Sequence, residues 1–483
     1  MPPAHPTVVT DASPDAYRRV SFWLDDLAAS GIDDLRPRAP LTADARFDVC
    51  LIGGGLTALW TAYSLAKADP ALRIAVVERD IVGFGASGRN GGWCSALFPQ
   101  SAEAIEREHG FDQAVAMRRA MVDTVDEVGR VAALEGIDCD FERGGTLVFA
   151  RSDAQRAVAK AEVAEARRFD VDRLEYWDAR VIGARFGVTG ADGRIPAARF
   201  DPACARVHPA KLVRGLGRVV EELGVALFER TEVLDWSAGR VRFRAVDSGD
   251  EATLRARHVI VATEGYGAQL PRVRRRILPL YSLMIATEPL SDSVWDEIGI
   301  EHGQTFSDYR HLLIYGQRTA DNRFAFGGRG AGYHWGSALD PAFERVDRVF
   351  GHLRQALEEL FPAVGDAKVT HRWGGPLGVA RDWSATASYN PRTGVGLAGG
   401  YVGDGLSTTN LAGRTMADLV LGVDSELTRL PWTNHRSPLW EPEPLRFVGA
   451  NLGIIGMQFA DAEERVTGRP SLAARAISRL TGH

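Results

Sequence analysis

The sequence predicts an α/β fold, in which helices cover a parallel sheet, joined to a second domain of the α+β class. Three observations predict it: a strand, glycine turn and helix early in the chain, the same pattern near its end, and β-rich segments of different character between them. With 483 residues, 45% of them hydrophobic, the chain is long enough for two domains with large cores.

The first pattern starts at Phe47. "FDVCLIGG" is a short apolar run rich in β-forming residues, and the glycines at 53–55 interrupt it. "LTALWTAYSLAKA" continues with apolar residues at helical spacing, and "RIAVVERD" from Arg73 is a second strand. The segment therefore predicts a βαβ unit with two parallel strands.

The turn has the G-x-G-x-x-A spacing of a phosphate-binding loop. Gly53 allows the sharp turn, Gly55 allows backbone N–H groups to approach a pyrophosphate, and Ala58 keeps helix and strand close. Glu78 ends the second strand, where a carboxylate can accept hydrogen bonds from an adenosine ribose. The spacing alone is a weak signal, but the strand, the helix and the acid at this distance together favour a dinucleotide site.

A second glycine cluster, "GFGASGRNGGW" from Gly83, indicates which dinucleotide binds. NAD needs one phosphate cradle, whereas FAD continues beyond its pyrophosphate into a ribityl chain and a large ring. The cluster offers close approach, N–H donors and polar groups through Gly85, Ser87, Gly88, Arg89, Asn90, Gly91 and Gly92. We therefore predict FAD, against the alternative of a glycine-rich surface loop.

The pattern recurs in "GVGLAGGYVGDGLSTTNLAGRTMADLVLG" from Gly394. It predicts a strand, a helix that starts at Ser407 or Thr408, and a turn between them that contains Gly399, Gly400, Gly403 and Gly405. A helix N-terminus aimed at the N1–C2=O edge of a flavin would stabilise the anion left when the ring accepts a hydride. A helix that only packs on the sheet is the alternative.

The middle of the chain predicts further elements. Residues 101–136 are helical, "GGTLVFARS" is a strand, and a helix runs from Pro209 to Gly224. "RHVIVATEGYGAQL" is a strand that enters a glycine turn, and "PLYSLMIATEPL" and "NRFAFGGRGAGYHWG" belong to an inserted β-rich domain. We predict an FAD-binding domain of residues 45–140, 200–270 and 390–425, a substrate domain of residues 141–199 and 271–389, and a helical tail of residues 426–483.

Composition excludes several classes of function. The net charge of −6 gives no reason to expect a nucleic-acid partner. No apolar run is long enough to span a bilayer, and the first residues lack the apolar core of a secretory signal, so we expect a soluble, cytoplasmic chain without a membrane partner. The four cysteines have no ligand spacing, so no metal is expected. The oligomeric state stays open.

The motifs occur in a known order. "IGGGLTALWTAYSLA", "VVERD", "GASGRNGG", "HPAKLVRGL", "VIVATEGY", "RTADNRFAFGGR" and "GGYVGDGLSTTNLAGRTMADL" resemble the D-amino-acid-oxidase-like superfamily of FAD-dependent amine oxidoreductases. Within it, the sequence most resembles the γ-glutamylputrescine oxidoreductase group. The resemblance covers about residues 45–425 and implies a Rossmann-type FAD domain built from separate segments, with a mixed-sheet substrate domain over the flavin.

The resemblance, together with the glycine patterns, also implies the residues of the FAD site. They are Gly53, Gly55, Leu56, Thr57, Ala58, Glu78, Arg79, Gly85, Ala86, Ser87, Arg89, Asn90, Gly91, Gly92, Val233, Ala262, Thr263, Gly400, Gly403, Gly405, Leu406 and Ser407. Where relatives attach FAD covalently, "THRWGGPLG" holds no cysteine or usable histidine, so we expect noncovalent FAD. Cys94 is expected to be a buried, inert thiol.

One departure concerns the substrate. Relatives that act on α-amino acids carry a "W-x-G-[LI]-R-P" stretch whose arginine clamps a carboxylate, but this chain has "RWGGPLGVARDW". Leu377 takes the place of that arginine, and Arg381 is the nearest candidate. An aliphatic side chain cannot form a bidentate carboxylate pair, so a primary or secondary amine is favoured over an α-amino acid.

The reaction implied is oxidation of an amine to an imine by hydride transfer to flavin N5, followed by hydrolysis to an aldehyde or ketone. It requires positioning and exclusion of water more than a dedicated acid or base. The substrate-pocket candidates, each of which has an ordinary core role as its alternative, are Trp93, Tyr281, Met284, Tyr333, His334, Trp373, Arg381 and Tyr401.

Three other points stay open in the sequence. Arg318, Arg329 or Arg381 could bind an anionic substrate tail, although solvated arginines are the default interpretation. The chain is predicted to be an amine oxidase or dehydrogenase; the alternative is a flavin-bearing subunit or silent flavoprotein that works through a partner. A flavin monooxygenase is disfavoured, because no NADPH signal is visible.

Overall fold

The structure is a computed structural model that describes residues 11–186, 195–467, 469–471 and 474. Its strands, in chain order, are β1 (Ala45–Ile52), β2 (Ile74–Val77), β3 (Trp93–Ser95), β4 (Thr146–Ala150), β5 (Glu175–Trp177), β6 (Ala197–Asp201), β7 (Cys204–Arg206), β8 (Ala226–Phe228), β9 (Thr231–Ser237), β10 (Arg240–Ala245), β11 (Glu251–Val261), β12 (Leu278–Thr287), β13 (Thr305–Asp308), β14 (Ile314–Arg318), β15 (Phe324–Gly328), β16 (Val369–Val379), β17 (Thr386–Asn390) and β18 (Val395–Gly399).

In chain order, the helices are α1 (Pro14–Arg18), α2 (Phe22–Ala29), α3 (Leu56–Ala68), α4 (Ala102–His109), α5 (Phe111–Leu134), α6 (Asp153–Phe169), α7 (Ala179–Arg185), α8 (Pro209–Glu222), α9 (Asp292–Ile298), α10 (Asp347–Leu360), α11 (Gly405–Leu421) and α12 (Leu445–Thr467). Helices α3, α5, α8 and α11 cover one face of the first sheet, and β9 and β10 pack on its other face. No helix in the described ranges is both long and apolar enough to cross a membrane.

The first sheet has the strand order β17-β18-β11-β1-β2-β8, and β9 and β10 extend it beside β11. β1 pairs in parallel with both β2 and β11, so the predicted βαβ unit is confirmed. α11 packs closely on α3, since a side chain at Gly413 would come within 2.5 Å of the Trp60 backbone. The small residue therefore brings together the two helices that follow the predicted glycine turns.

The second sheet has the strand order β16-β12-β15-β14-β13-β4-β6-β5. It is mixed, because β13 and β4 run parallel while its other pairs are antiparallel. A core rich in aromatic rings, including Phe306, Phe324, Phe326 and Phe361, lies against this sheet. The predicted fold class, a Rossmann-type domain with a mixed-sheet second domain, is confirmed.

Several predicted elements differ in detail. Gly110, at φ 91°, divides the helical region 101–136 into α4 and α5. α8 begins at Pro209, as predicted. α11 begins at Gly405, earlier than the predicted start at Ser407 or Thr408, because Asp404 takes the N-cap position and the glycine continues as helix.

Two predicted domain boundaries fall inside strands. β6 crosses the boundary at 199/200 and pairs with β4 in the second sheet. β17 crosses the boundary at 389/390 and pairs with β18 in the first sheet. In the predicted tail, α12 is the long helix, and residues 468, 472–473 and 475–483 lie outside the described residues. Residues 187–194 of the predicted substrate domain also lie outside them.

An N-terminal segment that no motif predicted closes the seam between the two sheets. α1 and α2 bury Tyr17, Trp23 and Leu27 completely or almost so. The Trp23 indole N–H donates to the Asn90 carbonyl at 2.8 Å, in the glycine loop of the first domain. Asp25 pairs with His371 on β16 at 3.1 Å, in the second domain. The segment thus joins the two domains.

Candidate active site

One cavity of about 720 Å³ lies where the carboxyl ends of β1, β2 and β11 meet the second sheet. Its first wall consists of the turn before α3, the end of β2, the loop that follows, and the turn before α11. Its second wall comes from β12, β14, β15 and β16, through Ser282, Met284, Tyr315, Arg329 and Leu377. This position, at the carboxyl edge of a parallel sheet, is where ligands bind in folds of this class.

The turn before α3 is packed too closely for side chains. A Cβ on Gly53, which has φ 106°, would lie 2.7 Å from the Ala262 carbonyl oxygen. A Cβ on Gly54 would lie 2.9 Å from the Glu78 Cβ. The backbone is therefore held directly against the ends of β11 and β2, and the N–H groups that start α3 face the cavity.

The carboxylate of Glu78 is fixed at the cavity wall. Its Oε2 accepts the Gly54 N–H at 2.6 Å and its Oε1 accepts the Asp80 N–H at 2.9 Å. Burial raises the pKa of Glu78 to about 7. A carboxylate has further lone pairs, so it can also accept hydroxyl hydrogen bonds from a ligand.

Two helix N-termini open onto this cavity. The N-cap residue of α3 is Gly55, which has no side chain, and the N-cap residue of α11 is Asp404, whose side chain accepts no hydrogen bond from the helix. The Leu56 N–H instead donates to the Ser87 hydroxyl at 2.9 Å. First-turn N–H groups with the helix dipole behind them bind anionic or electron-rich ligand groups.

The loop between β2 and β3 is held by its own polar side chains. Asn90 donates from Nδ2 to the Ala86 and Ser87 carbonyls and accepts the Gly92 N–H. Arg89 donates to Glu344 at 2.7 Å, and also to the Phe84 and Gly374 carbonyls. The Arg89 guanidinium therefore joins the loop to the second domain.

The predicted FAD-site residues line the cavity, except Ala58, Gly92, Gly400 and Ser407. Ala58 is buried within α3. A Cβ on Gly92 would meet Gln317 and the Val207 carbonyl, so this glycine serves packing. Gly400 donates its N–H to Glu264, and the Ser407 hydroxyl donates to the Ser95 carbonyl.

The predicted substrate residues divide into two groups. Trp93, Met284 and Tyr401 line the cavity. The others lie outside its lining, namely Tyr281, Tyr333, His334, Trp373 and Arg381. The side chains outside the lining contact other residues of the protein.

Ring packing and hydrogen bonds account for those positions. His334 stacks on Phe343 with ring centroids 3.3 Å apart. The Trp373 indole N–H donates to the Arg89 carbonyl at 2.9 Å. Arg381 pairs with Glu441 at 3.0 Å, which leaves it facing the C-terminal segment.

Sequence reasoning missed two half-buried carboxyl groups that line the cavity. Glu264 follows β11 at φ 45°, and its Oε1 accepts the N–H groups of Gly400 and Tyr401, both at 3.0 Å. Asp404 stands at the start of α11, and burial raises its pKa to about 6. An acidic residue inside a glycine turn at a strand end was the available signal for both.

Neither a thiol nor a cluster of metal ligands lies among the described residues of this site. Cys94 is fully buried, and burial raises the pKa of its thiol well above 9.0. No cysteine or histidine is among the described residues that line the cavity. Within the same ranges, no group of three His, Cys, Asp or Glu side chains could hold a metal ion.

Residues 48–419 match the DAO family of FAD-dependent oxidoreductases. The match covers most of the chain, and the chain belongs to this family. It is therefore an FAD-dependent oxidoreductase of a class whose members act on amines and amino acids, as the sequence predicted.

Individual relatives agree with this assignment. The chain is 30% identical to γ-glutamylputrescine oxidoreductase of Escherichia coli K12, over 82% of this chain and 88% of the relative. It is also 30% identical to the probable oxidoreductase OrdL of Haemophilus influenzae, over 80% of this chain and 86% of the relative. The crystal structure of glycine oxidase from Geobacillus kaustophilus has the same fold, with a TM-score of 0.65 at 19% identity over 81% of this chain and all of the other.

Glu264 gives the ligand-free chain a pH-dependent stability. Burial raises the pKa of Glu264 from 4.5 to about 7, so the ionised form is disfavoured in the folded state. The contribution of neutral Glu264 to the free energy of unfolding is complete below pH 4.5 and is lost as the pH rises through 7. Glu264→Gln stays neutral and keeps an oxygen for Gly400 and Tyr401, so wild type should lose about 1–3 kcal/mol relative to the variant between about pH 5 and pH 8.

Urea unfolding of the FAD-free wild type and variant at both pH values measures this difference. Glu78 titrates in both proteins, so its contribution cancels in the difference between their free energies of unfolding. Glu222→Gln, at an exposed position at the end of α8, is the control and should follow wild type. Wild-type and Glu264→Gln curves that stay parallel across this pH range would contradict the prediction.

Proposed function

We propose that this protein oxidises a primary or secondary amine to an imine, which hydrolyses to an aldehyde or ketone. The observation that carries the proposal is that two walls share one cavity: the glycine turns and Glu78 form one wall, and the second sheet places Met284 and Tyr315 on the other. A cofactor held along the first wall would present its ring to a substrate on the second. The family supplies FAD as that cofactor.

The residues of the first wall fit FAD. The glycine turn in which Cβ atoms would clash, with the N-terminus of α3 behind it, matches the pyrophosphate. The fixed Glu78 carboxylate at the end of β2 matches the adenosine ribose. The N-terminus of α11 matches the flavin C2=O edge. We propose that the cofactor is noncovalent, because the lining within the described ranges offers no cysteine or histidine for attachment. A cytoplasmic location stays a prediction from sequence.

When bound, FAD supplies a hydride acceptor. The chain's own residues orient the amine and exclude water. Trp93 and Tyr315 form an edge-to-face pair with ring centroids 6.1 Å apart, and the Trp93 indole N–H is tied to the Gly316 carbonyl at 3.2 Å. Tyr401 is fixed by a 3.0 Å hydrogen bond between its hydroxyl and Thr57. Such rigid aromatic walls hold a small substrate in one orientation and favour the neutral amine.

Reduction of the purified flavoprotein by amines tests the function. Anaerobic mixing with diamines, N-methylated amino acids and aminophosphonates should bleach the flavin absorbance with at least one class, and peroxide release on aeration separates an oxidase from a dehydrogenase. If the chain is a flavin-bearing subunit that depends on a partner, no amine reduces it alone. That result would sink the proposal and leave the family assignment intact.

Glu78 should determine much of the FAD affinity. Glu78→Ala removes the acceptor for the ribose hydroxyls and the brace on the Gly54 N–H, so we expect FAD to bind about 10–100-fold more weakly. Titration of the FAD-free protein with FAD, followed by flavin fluorescence, gives the dissociation constants. Asp48→Ala, at an exposed pair with Arg73 on the same sheet, is the control and should bind as wild type does. Equal affinity in Glu78→Ala and Asp48→Ala would remove Glu78 from the FAD site.

A further inference from the structure

Arg329 lies on the second wall of the cavity; Arg199 on β6 also lines the cavity, but it pairs with Glu162 at 2.8 Å. Arg329 directly follows β15, and its backbone N–H donates to the Leu313 carbonyl at 3.0 Å. One guanidinium nitrogen donates to the Val402 carbonyl at 2.6 Å. Among the described residues, no carboxylate comes within 4.0 Å of this guanidinium to form an ion pair.

Three elements converge at this position. A Cβ built on Gly403 would lie 3.5 Å from the Arg329 guanidinium and 3.7 Å from the Leu377 side chain. Leu377 brings no charge, so the corner formed by β15, β16 and the turn before α11 has Arg329 as its cation. The Trp383 ring covers the guanidinium at 5.5 Å. An aromatic ring above a guanidinium leaves its N–H edge available for a planar anion.

The surroundings of Arg329 favour an anion. Burial lowers the pKa of Arg329, which shows how poorly this site solvates a cation, and the nearby Asp404 only partly opposes that effect. Asp404 is half-buried, and desolvation raises its pKa. A buried cation without a close counter-ion is costly, and an incoming carboxylate removes that cost through two parallel hydrogen bonds.

We propose that Arg329 binds an anionic group of the substrate, so that the amine oxidised here carries a carboxylate. The proposal rests on the proposed function and defines its substrate class. The proposal also revises the earlier inference that Leu377, in place of an arginine, leaves the substrate carboxylate without a partner. Arg329, which follows β15, supplies the cation that β16 lacks.

Carboxylate binding to the holoenzyme tests the proposal without turnover. Calorimetry with butanoate should show binding to wild type that weakens about 10–100-fold in Arg329→Gln and recovers partly in Arg329→Lys. Butanamide, which is neutral, should not distinguish these proteins. Arg381→Gln is the matched control, since Arg381 pairs with Glu441 outside the cavity lining. With amines, γ-aminobutyrate should be preferred over butylamine by wild type and not by Arg329→Gln.

Two results would overturn the proposal. One is butanoate affinity that is unchanged in Arg329→Gln. The other is a shifted flavin absorbance or reduction potential with unchanged carboxylate binding, which would place Arg329 at the flavin ring. If no amine reduces wild type, the proposed function fails, but the butanoate titration still decides whether Arg329 is an anion site.

A different observation concerns the outer face of α12. Its exposed apolar side chains recur at alternating intervals of three and four residues: Leu445, Val448, Leu452, Ile455, Phe459, Ala462 and Val466. We refer to these residues as the α12 stripe. Phe459 is 65% exposed and Leu452 61%, although residues of this type are normally buried. A strict seven-residue apolar repeat is the seam along which two helices pack.

The opposite face of α12 is already used. Asp461 accepts the His311 and Leu312 N–H groups, Glu464 pairs with His311 at 2.9 Å, and Asn451 bonds both backbone groups of Tyr333. The helix is therefore fixed on the second domain and presents the α12 stripe outward. A fixed, exposed apolar stripe of this length marks an interaction surface.

We propose that the α12 stripe pairs with the same helix of a second copy, antiparallel and about a two-fold axis. In that arrangement Leu452 faces Ile455 of the other copy, and Val448 faces Phe459, so a small side chain meets a large one. Gly449 and Gly456 flank the seam with open space around Gly449, and no charged residue flanks its centre. The exposed Arg465 then lies opposite Glu441, whose carboxylate already pairs with Arg381 but is 40% exposed and can accept this second cation.

Paired charges test this symmetry. The wild-type holoenzyme should sediment as a dimer, whereas Leu452→Lys alone and Ile455→Glu alone should be monomers, because each breaks an apolar contact twice. Mixing the two single variants, or combining both substitutions in one chain, should restore dimers, since lysine then faces glutamate. Leu134→Glu, at an exposed leucine on α5, is the control and should remain dimeric.

A monomeric wild type, or single variants that remain dimers, would overturn this proposal. So would binding of the monomeric wild type to vesicles of anionic phospholipid, if that binding is lost in Leu452→Lys. FAD content and melting temperature of each variant confirm that the fold is intact.

Discussion

The architecture depends on the close backbone contact between the Gly53–Gly55 turn and the ends of two strands. Any side chain there would collide with the Ala262 carbonyl, with Glu78 or with Ser87. Because the turn lies directly on the sheet, α3 starts with its N–H groups toward the cavity, and the Glu78 carboxylate is held by the same backbone. The phosphate cradle and the ribose acceptor are therefore consequences of one packing constraint.

The second domain depends on the first through a few buried polar connections. Arg89 leaves the glycine loop and reaches Glu344, while the Trp373 indole returns to the Arg89 carbonyl. The N-terminal helices close the same seam from outside, with Trp23 bonded to the loop. A charged group that is buried with its partners fixes geometry more than it adds stability. This geometry is what sets the distance between a cofactor on the first wall and a substrate on the second.

Charge inside the cavity is distributed unevenly. The lining carries the carboxyl groups of Glu78 and Glu264, both held by backbone N–H donors. Its arginines Arg89 and Arg199 pair with Glu344 and Glu162, whereas among the described residues no carboxylate lies within 4.0 Å of the Arg329 guanidinium. An amine that also carries an anionic group matches this distribution better than a simple alkylamine, and the family assignment is compatible with both.

The sequence by itself determined the βαβ unit, the three glycine turns and the cofactor, because these depend on local spacing: a strand, a tight turn and a helix must follow each other within a few residues. The family followed from the resemblance of the ordered motifs to known relatives. It did not determine which aromatic and basic side chains face the substrate. Tyr281 and His334 carry the same residue-level signal as Trp93 and Arg329, yet they lie in ring stacks outside the cavity lining. Strands far apart in the chain decide that difference, because the register of β12, β15 and β16 sets which face each side chain points to.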